Sequence, residues 1–502
     1  MPPDAYFEEF GEASGLGRRA LRGGVVSLIG TYGSAVLQLV AAVVLARLLT
    51  PDDFGLVAIV IVLTSFAPLL IDFGLGDATM QRMKITEGQV SSLFWLNTMI
   101  GVGIALLVAV SGPLVSWIFN DARLSQITLY SAIPFALVGI STQHLALLRR
   151  TMQFAKIAWI QIAGTFAGIV FAVLLAYFGA GYWALVARPI ANAIVVALGA
   201  WLACGWRPGI PAFDKEVVSL VRFGIHVVGS AMAITVGKAF DRIALGLFYT
   251  PYEVGLYQNA FVLYTYSIDN ALGQVHNIGT AALGKLQSNY RELGEKYHSG
   301  LSMLAFFVMP AAAVIAVTAN DLIVTLLSEK WQRSAILLSI MSVYGIFQVV
   351  HGSQGWIHVA IGRPDRWRNW TLMVAALQMV AVLAGLPFGP IGVATAISIL
   401  GAIVAFPSVT YAGKTLGITG ASAFRAVRPQ LIGAMLTIVV GWYFQMTALS
   451  DFSSPARLLL SGAFCASFYL VIVVGIFRFT DPIKILLKAL SDYLSSAGRS
   501  RS

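Results

Sequence analysis

Apolar residues in this chain come in long blocks, separated by short clusters of charge and turn residues such as Thr50-Pro51-Asp52-Asp53, Ser111-Gly112-Pro113 and Trp206-Arg207-Pro208. A bilayer core about 30 Å thick requires roughly 20 mostly apolar residues per helix. Cutting at the clusters predicts fourteen spans, near residues 25–46, 55–73, 91–111, 125–146, 157–178, 183–203, 223–247, 255–283, 300–319, 334–361, 370–386, 391–411, 430–447 and 458–477. The eighth and tenth are long enough to tilt or to project beyond the lipid. The pattern predicts an all-α polytopic membrane protein.

Composition strengthens that reading. Of 502 residues, 58% are hydrophobic and 11% charged, with a mean hydropathy of +0.80. Soluble chains average roughly 45–50% apolar and about 25% charged. An ordinary soluble enzyme, a disordered chain and a nucleic-acid-binding module are excluded. The net charge of +10 is scattered between the apolar blocks, as a positive-inside bias requires. With the N-terminus in the cytoplasm, 25 of the 33 lysines and arginines fall on that side, 5 on the other, and Arg188, Lys238 and Arg242 inside spans. Both termini are therefore expected in the cytoplasm. Residues 1–24 carry Asp4, Glu8, Glu9 and Glu12 and no apolar core, unlike a cleavable signal peptide. The first span is expected to serve as the insertion signal. In the tail, Ile483, Leu486, Leu487, Leu490 and Leu494 recur at helical spacing beside Lys484 and Lys488, which predicts a short helix on the membrane surface. Cys204 and Cys465 lie 261 positions apart and form neither a disulfide framework nor a zinc spacing.

An internal repeat organises the spans. Thr50-Pro51-Asp52-Asp53-Phe54-Gly55-Leu56 recurs 200 residues later as Thr250-Pro251-Tyr252-Glu253-Val254-Gly255-Leu256. Each copy joins the first two spans of a block of six. Six is even, so both blocks enter the membrane in the same orientation, and a pseudo-two-fold along the membrane normal is expected. The expected organisation is an N-terminal lobe over 1–203, a cytoplasmic linker over 204–222 and a C-terminal lobe over 223–411. Two further spans over 412–477 and a cytoplasmic tail over 478–502 follow.

Charges inside a span are costly, roughly 2.5–3.5 kcal/mol each at its centre. Span seven holds Lys238, Asp241 and Arg242 on one face; Lys238 and Asp241 are placed to pair, which leaves Arg242 as surplus positive charge. A structural salt bridge between helices is the plainer alternative to a wet cavity. Span eight carries Gln258, Asn259, Tyr266, Asp269, Asn270, His276 and Asn277 within an arc of about 120°, groups that bind sugar hydroxyls, solvate a proton path or pair with neighbouring helices. In span ten Tyr344, Gln348 and His351 share a face, with His358 nearby. Arg188 precedes Pro189 in span six, where freed carbonyls could anchor it. Asp72 and Asp77 flank Phe73-Gly74-Leu75-Gly76 near the cytoplasmic end of span two.

Several chemistries lack their residues. Gly413-Lys414-Thr415 resembles the end of a phosphate-binding loop, but position 408 is serine rather than glycine, and the segment follows a span rather than a strand. There is no HExxH, no G-x-S-x-G and no acidic metal cluster, and no cofactor is expected. Transport remains.

Leu45-Ala46-Arg47-Leu48-Leu49-Thr50-Pro51-Asp52-Asp53-Phe54-Gly55-Leu56, followed by Asp72-Phe73-Gly74-Leu75-Gly76-Asp77-Ala78 and Gln81-Arg82, resembles the opening of Wzx-like polysaccharide and O-antigen exporters. These belong to the multidrug/oligosaccharidyl-lipid/polysaccharide superfamily, and the similarity is to the colanic-acid exporter type. Asp241-Arg242 resembles a common pattern there. The resemblance covers nearly the whole chain. It implies a MATE-like fold of about fourteen helices, two six-helix lobes plus two, around a central cavity. The implied activity is flipping of undecaprenyl-diphosphate-linked oligosaccharide across the bacterial inner membrane for surface polysaccharide biosynthesis, without an enzymatic reaction. Cationic cavity residues for the diphosphate then carry over to Arg18, Arg22, Arg242 and Lys238. With the span residues, the candidate substrate-binding set is Arg18, Arg22, Arg188, Lys238, Arg242, Asn270 and Gln348. Asp241, Asp269, His276 and His351 are the coupling candidates. Expected partners are the lipid-linked oligosaccharide, membrane lipids, and a polysaccharide polymerase with export machinery; nucleic acid is not one. The rivals are a cation-coupled multidrug exporter of the same fold and a membrane glycosyltransferase or polysaccharide polymerase.

Overall fold

The computed structural model describes residues 33–72, 79, 85–211, 235, 237, 239–284, 290–482 and 484. Arg18, Arg22, Asp77, Lys238 and the tail helix from 485 onward lie outside the described residues. Among the described residues there is no strand. The chain forms two compact units, Met1–Gln258 and Asn259–Ser502.

The first unit contains α1 (Gly33–Leu48), α2 (Pro51–Thr64), α3 (Ala67–Asp72), α4 (Glu87–Phe119), α5 (Arg123–Ser131), α6 (Ile133–Arg150), α7 (Phe154–Tyr177) and α8 (Trp183–Cys204). After these come α9 over 239–248 and the start of α10 (Pro251–Tyr264). Small residues set its helix crossings. Gly164, Gly168, Ala172 and Ala176 recur every four positions along α7 and are buried. A Cβ at Gly168 would lie 2.7 Å from the Arg188 carbonyl oxygen of α8, so only a glycine admits this approach. Gly205, at φ 68°, ends α8. Beyond it Trp206 plugs into the unit at 1% exposure, against Phe94 and His144. Ser91 accepts the Gly209 amide at 3.0 Å and Trp95 donates to the Gly209 carbonyl at 3.1 Å.

The second unit contains the rest of α10, a π-helical turn (Thr265–Asp269), α11 (Asn270–Gly284), α12 (Tyr290–Leu326), α13 (Ser334–Ala360), α14 (Pro364–Gly385), α15 (Gly389–Gly413), α16 (Gly420–Ala448) and α17 (Ser454–Leu470). Its axis is α12, 37 residues long, which at 1.5 Å per residue is about 55 Å and exceeds the bilayer core. Helix α16 is fixed to α12 towards both ends. At one end His298 meets Ser422 at 2.9 Å, and Gln430 donates to the Ser302 carbonyl at 3.2 Å. At the other, fully buried Asp321 accepts from Gln445 and pairs with Arg457 of α17 at 2.7 Å.

Nine helical segments among the described residues are long and apolar enough to cross a membrane, which makes this a multi-pass membrane protein. The difference from the fourteen spans expected has local causes. The first span is described only over 33–48, and the second breaks at Ser65 and Phe66. The seventh is described in small part, and the eighth is interrupted by the π turn. The eleventh and twelfth run together as one stretch, Pro364–Gly413.

Candidate functional site

In a helix surrounded by lipid, a polar side chain must find a partner or water. The polar groups within the spans divide on that criterion. In the first unit, Asp241 on α9 is 3% exposed. It accepts a hydrogen bond from the Tyr257 hydroxyl of α10 at 2.7 Å and from the Arg242 backbone amide at 2.8 Å. The Arg242 guanidinium lies 3.5 Å from the same carboxylate, and its side chain keeps 16% exposure. Asp241 thus ties α9 to α10 and holds a cation beside it. The sequence pattern had singled out Asp241 and Arg242 but not Tyr257, because an aromatic in an apolar run gives no polar signal.

Arg188 is half-buried in α8, one residue before Pro189, and α8 continues through the proline. The nearby crevice of about 440 Å³, lined by Gln126, Tyr130, Trp183 and apolar neighbours, offers no charged group to a diphosphate.

In the second unit Asp269 and Asn270 are exposed, midway along the expected eighth span. The π turn ends at Asp269. Bonding from i to i+5 adds a residue to the turn, so the polar groups of this span do not stay on the single arc that a regular helix predicts. Asn259 is buried, Asp269 and Asn270 are exposed, and His276 is half-buried. π turns of this kind often mark functional positions.

His276 lies over Gly355 of α13, where a Cβ would come within 2.5 Å of the ring, and faces Trp367 of α14 at 5.9 Å. Gln348 is half-buried and its side-chain oxygen has no hydrogen-bond partner among the described residues. His351 is half-buried beside Gln354 at 3.5 Å. The buried Tyr264 hydroxyl also lacks a hydrogen-bond partner there, and its ring stands 6.1 Å from Tyr344. Asn270, Gln348, His276 and His351 therefore share a unit, while Arg188, Asp241 and Arg242 belong to the other.

Three features of the structure escaped the sequence pattern. Asp321 with Arg457 and Gln445 is one; a lone acid in the run Thr318-Ala319-Asn320-Asp321-Leu322 was its only signal. Arg150 is another, at 3% exposure, donating to the Thr79 carbonyl at 3.0 Å while Thr79 bonds Gln143 at 3.1 Å. This attaches the end of α6 to the residue following the Asp72–Ala78 motif. The third is the packing of the repeated turns on each other. A methyl on Gly55 would fall on the Pro251 carbonyl oxygen, and one on Gly255 on the Pro51 carbonyl oxygen.

A family model described as "Polysaccharide biosynthesis protein" matches residues 44–336, more than half of the sequence. The chain belongs to this family. Among its relatives, the teichuronic acid biosynthesis protein TuaB of Bacillus subtilis is 23% identical over 90% of this chain and 95% of its own. The lipopolysaccharide biosynthesis protein WzxC of Escherichia coli is 24% identical over 75% and 77%. The succinoglycan biosynthesis transport protein ExoT of Rhizobium meliloti is 23% identical over 64% of each. Of solved structures, the lipid II flippase MurJ in an inward closed conformation aligns with 90% of this chain and 99% of its own, at a TM-score of 0.71 and 14% identity. An inward-facing MATE-family multidrug transporter aligns over 83% and 96%, at 0.54 and 12%. The family member described here thus has the fold shared by MurJ and the MATE transporters, as the resemblance of residues 45–82 implied.

Proposed function

We propose that the chain is a flippase that moves an undecaprenyl-diphosphate-linked oligosaccharide across the bacterial inner membrane by alternating access, with both termini in the cytoplasm. The observation that carries this reading is an exposed carboxylate and amide, Asp269 and Asn270, at mid-span in a member of a polysaccharide biosynthesis family. Lipid would penalise such groups on an exposed face, so their place at mid-span supports a polar pathway rather than a lipid-facing surface. The names of ExoT, a transport protein, and MurJ, a lipid II flippase, support the same activity.

In this mechanism Arg242, Lys238, Arg18, Arg22 and Arg188 offset the diphosphate charge, and Asn270 and Gln348 bond the sugar. Asp241 keeps Arg242 oriented through the contact seen here. Asp269, His276 and His351 are the groups that would exchange a proton during the cycle. A polysaccharide polymerase and export machinery consume the flipped product. A multidrug exporter of cations would want an acidic pathway, and the surplus arginine and lysine oppose that reading.

The deciding experiment measures the sidedness of the lipid-linked glycan in a strain lacking the chain. Accumulation on the cytoplasmic leaflet, reversed by the intact gene, is the expected result. Normal sidedness with unpolymerised repeat units would mean a polymerase instead.

A further inference from the structure

The two copies of the repeated turn meet within the first unit, and they meet through equivalent atoms. The Pro251 carbonyl oxygen occupies the place of a Gly55 side chain, and the Pro51 carbonyl oxygen that of a Gly255 side chain. The atoms that follow are matched too: the Pro251 and Pro51 carbonyl carbons come next, and after them Gly255 N would lie 3.0 Å from a Cβ on Gly55, and Gly55 N 3.1 Å from one on Gly255. Such reciprocity is what a two-fold axis through the contact produces.

Each helix start is also complete in itself. Thr50 and Asp53 form a capping box, with Thr50 N to Asp53 at 2.9 Å and Asp53 N to Thr50 at 3.3 Å. Thr250 and Glu253 repeat it at 3.1 and 3.4 Å. Proline at the first helical position has no amide proton to satisfy, and the proline carbonyls are those that accept the Gly55 and Gly255 amides within their own helices. Parting the two turns therefore strands no buried donor, and the caps keep both helices intact when they part.

We infer that the Gly55–Gly255 contact is the outer seal of the translocation pathway, made and broken once per cycle, with the two glycines as positioning residues that let it close. This rests on the alternating-access reading above. The lysine and arginine distribution supports placing both turns on the outer side. A rocking motion of parallel repeats separates their equivalent elements at one membrane face, and these two turns are such a pair. A methyl at either position collides with backbone rather than with a movable side chain, so Gly55→Ala holds the seal open.

The test uses the full-length protein in lipid nanodiscs, spin-labelled at Asp52→Cys and Tyr252→Cys; Cys204 and Cys465 are buried and leave the label to the new sites. The expected result is a short separation in the otherwise wild-type protein and a shift to a longer one with Gly55→Ala. A cleavable bis-maleimide across the same cysteine pair should reduce glycan flipping at least tenfold, by trapping one state, and cleavage should restore it. That arm does not depend on the alanine variant folding. Unchanged separation with Gly55→Ala, or undiminished flipping by the tethered protein, overturns the seal. Should the distance shift while the chain moves no lipid-linked glycan in any form, the seal stands and the substrate reading fails.

Discussion

Asp241 and Asp321 are carboxylates withdrawn from water in different company. Asp321 is enclosed by Arg457 and Gln445 from two other helices, so its removal leaves a largely buried cation without its counter-charge. Asp321→Ala should destabilise the protein by roughly 3 kcal/mol, read as a fall in the thermal midpoint of the purified protein in detergent. Combining Asp321→Leu with Arg457→Met, which removes both charges at once, should recover most of it. Asp241 instead lies beside Arg242, whose side chain stays partly exposed. In the proposed mechanism that cation meets the diphosphate, so Arg242→Ala should lower flipping by about two orders of magnitude, a loss of some 3 kcal/mol for a charge-assisted contact. The amount of membrane-inserted protein should not change. A variant that flips normally removes Arg242 from the mechanism.

At the level of elements, helix contacts here depend on backbones coming close. The every-fourth-residue stripe on α7 receives α8 with the Arg188 carbonyl against Gly168. Gly168→Leu should force α8 away and cost about 2–3 kcal/mol, seen as earlier thermal unfolding and reduced yield, whereas Phe166→Leu on the exposed side should be neutral. The sequence made the helices readable, because a block of about twenty apolar residues is a local property. It did not reveal the π turn at Thr265–Asp269, since no residue there breaks a helix. The extra residue in that turn shifts the register of the second half of the span, and Asp269 and Asn270 are exposed at its end.

For the whole molecule, the charge distribution makes a topological prediction. Alkaline phosphatase fused within the 328–333 loop should be active, as expected outside, and a fusion within 414–419 inactive; the reverse pattern would invert the orientation. Lys330 and Arg333 are exposed in the first loop and Lys414 in the second, so neither fusion disturbs a buried charge. The packing boundary at Gln258 falls inside the eighth span. It lies beyond the start of the second repeat because the opening turn of α10 is seated on that of α2.

The amino-acid sequence by itself determined the helical membrane class, the side bias of its charges, the 200-residue repeat and a family resemblance over residues 45–82. Each is written in hydropathy, charge or motif along the chain, without reference to what lies opposite. Tertiary structure alone decided which polar groups are buried against a partner and which are exposed. Asp241 finds Tyr257, Asp321 finds Arg457 across 136 positions, and Gly55 meets Gly255 across 200. Those pairings depend on helix rotation and crossing, which small residues and π turns influence and which hydropathy averages away.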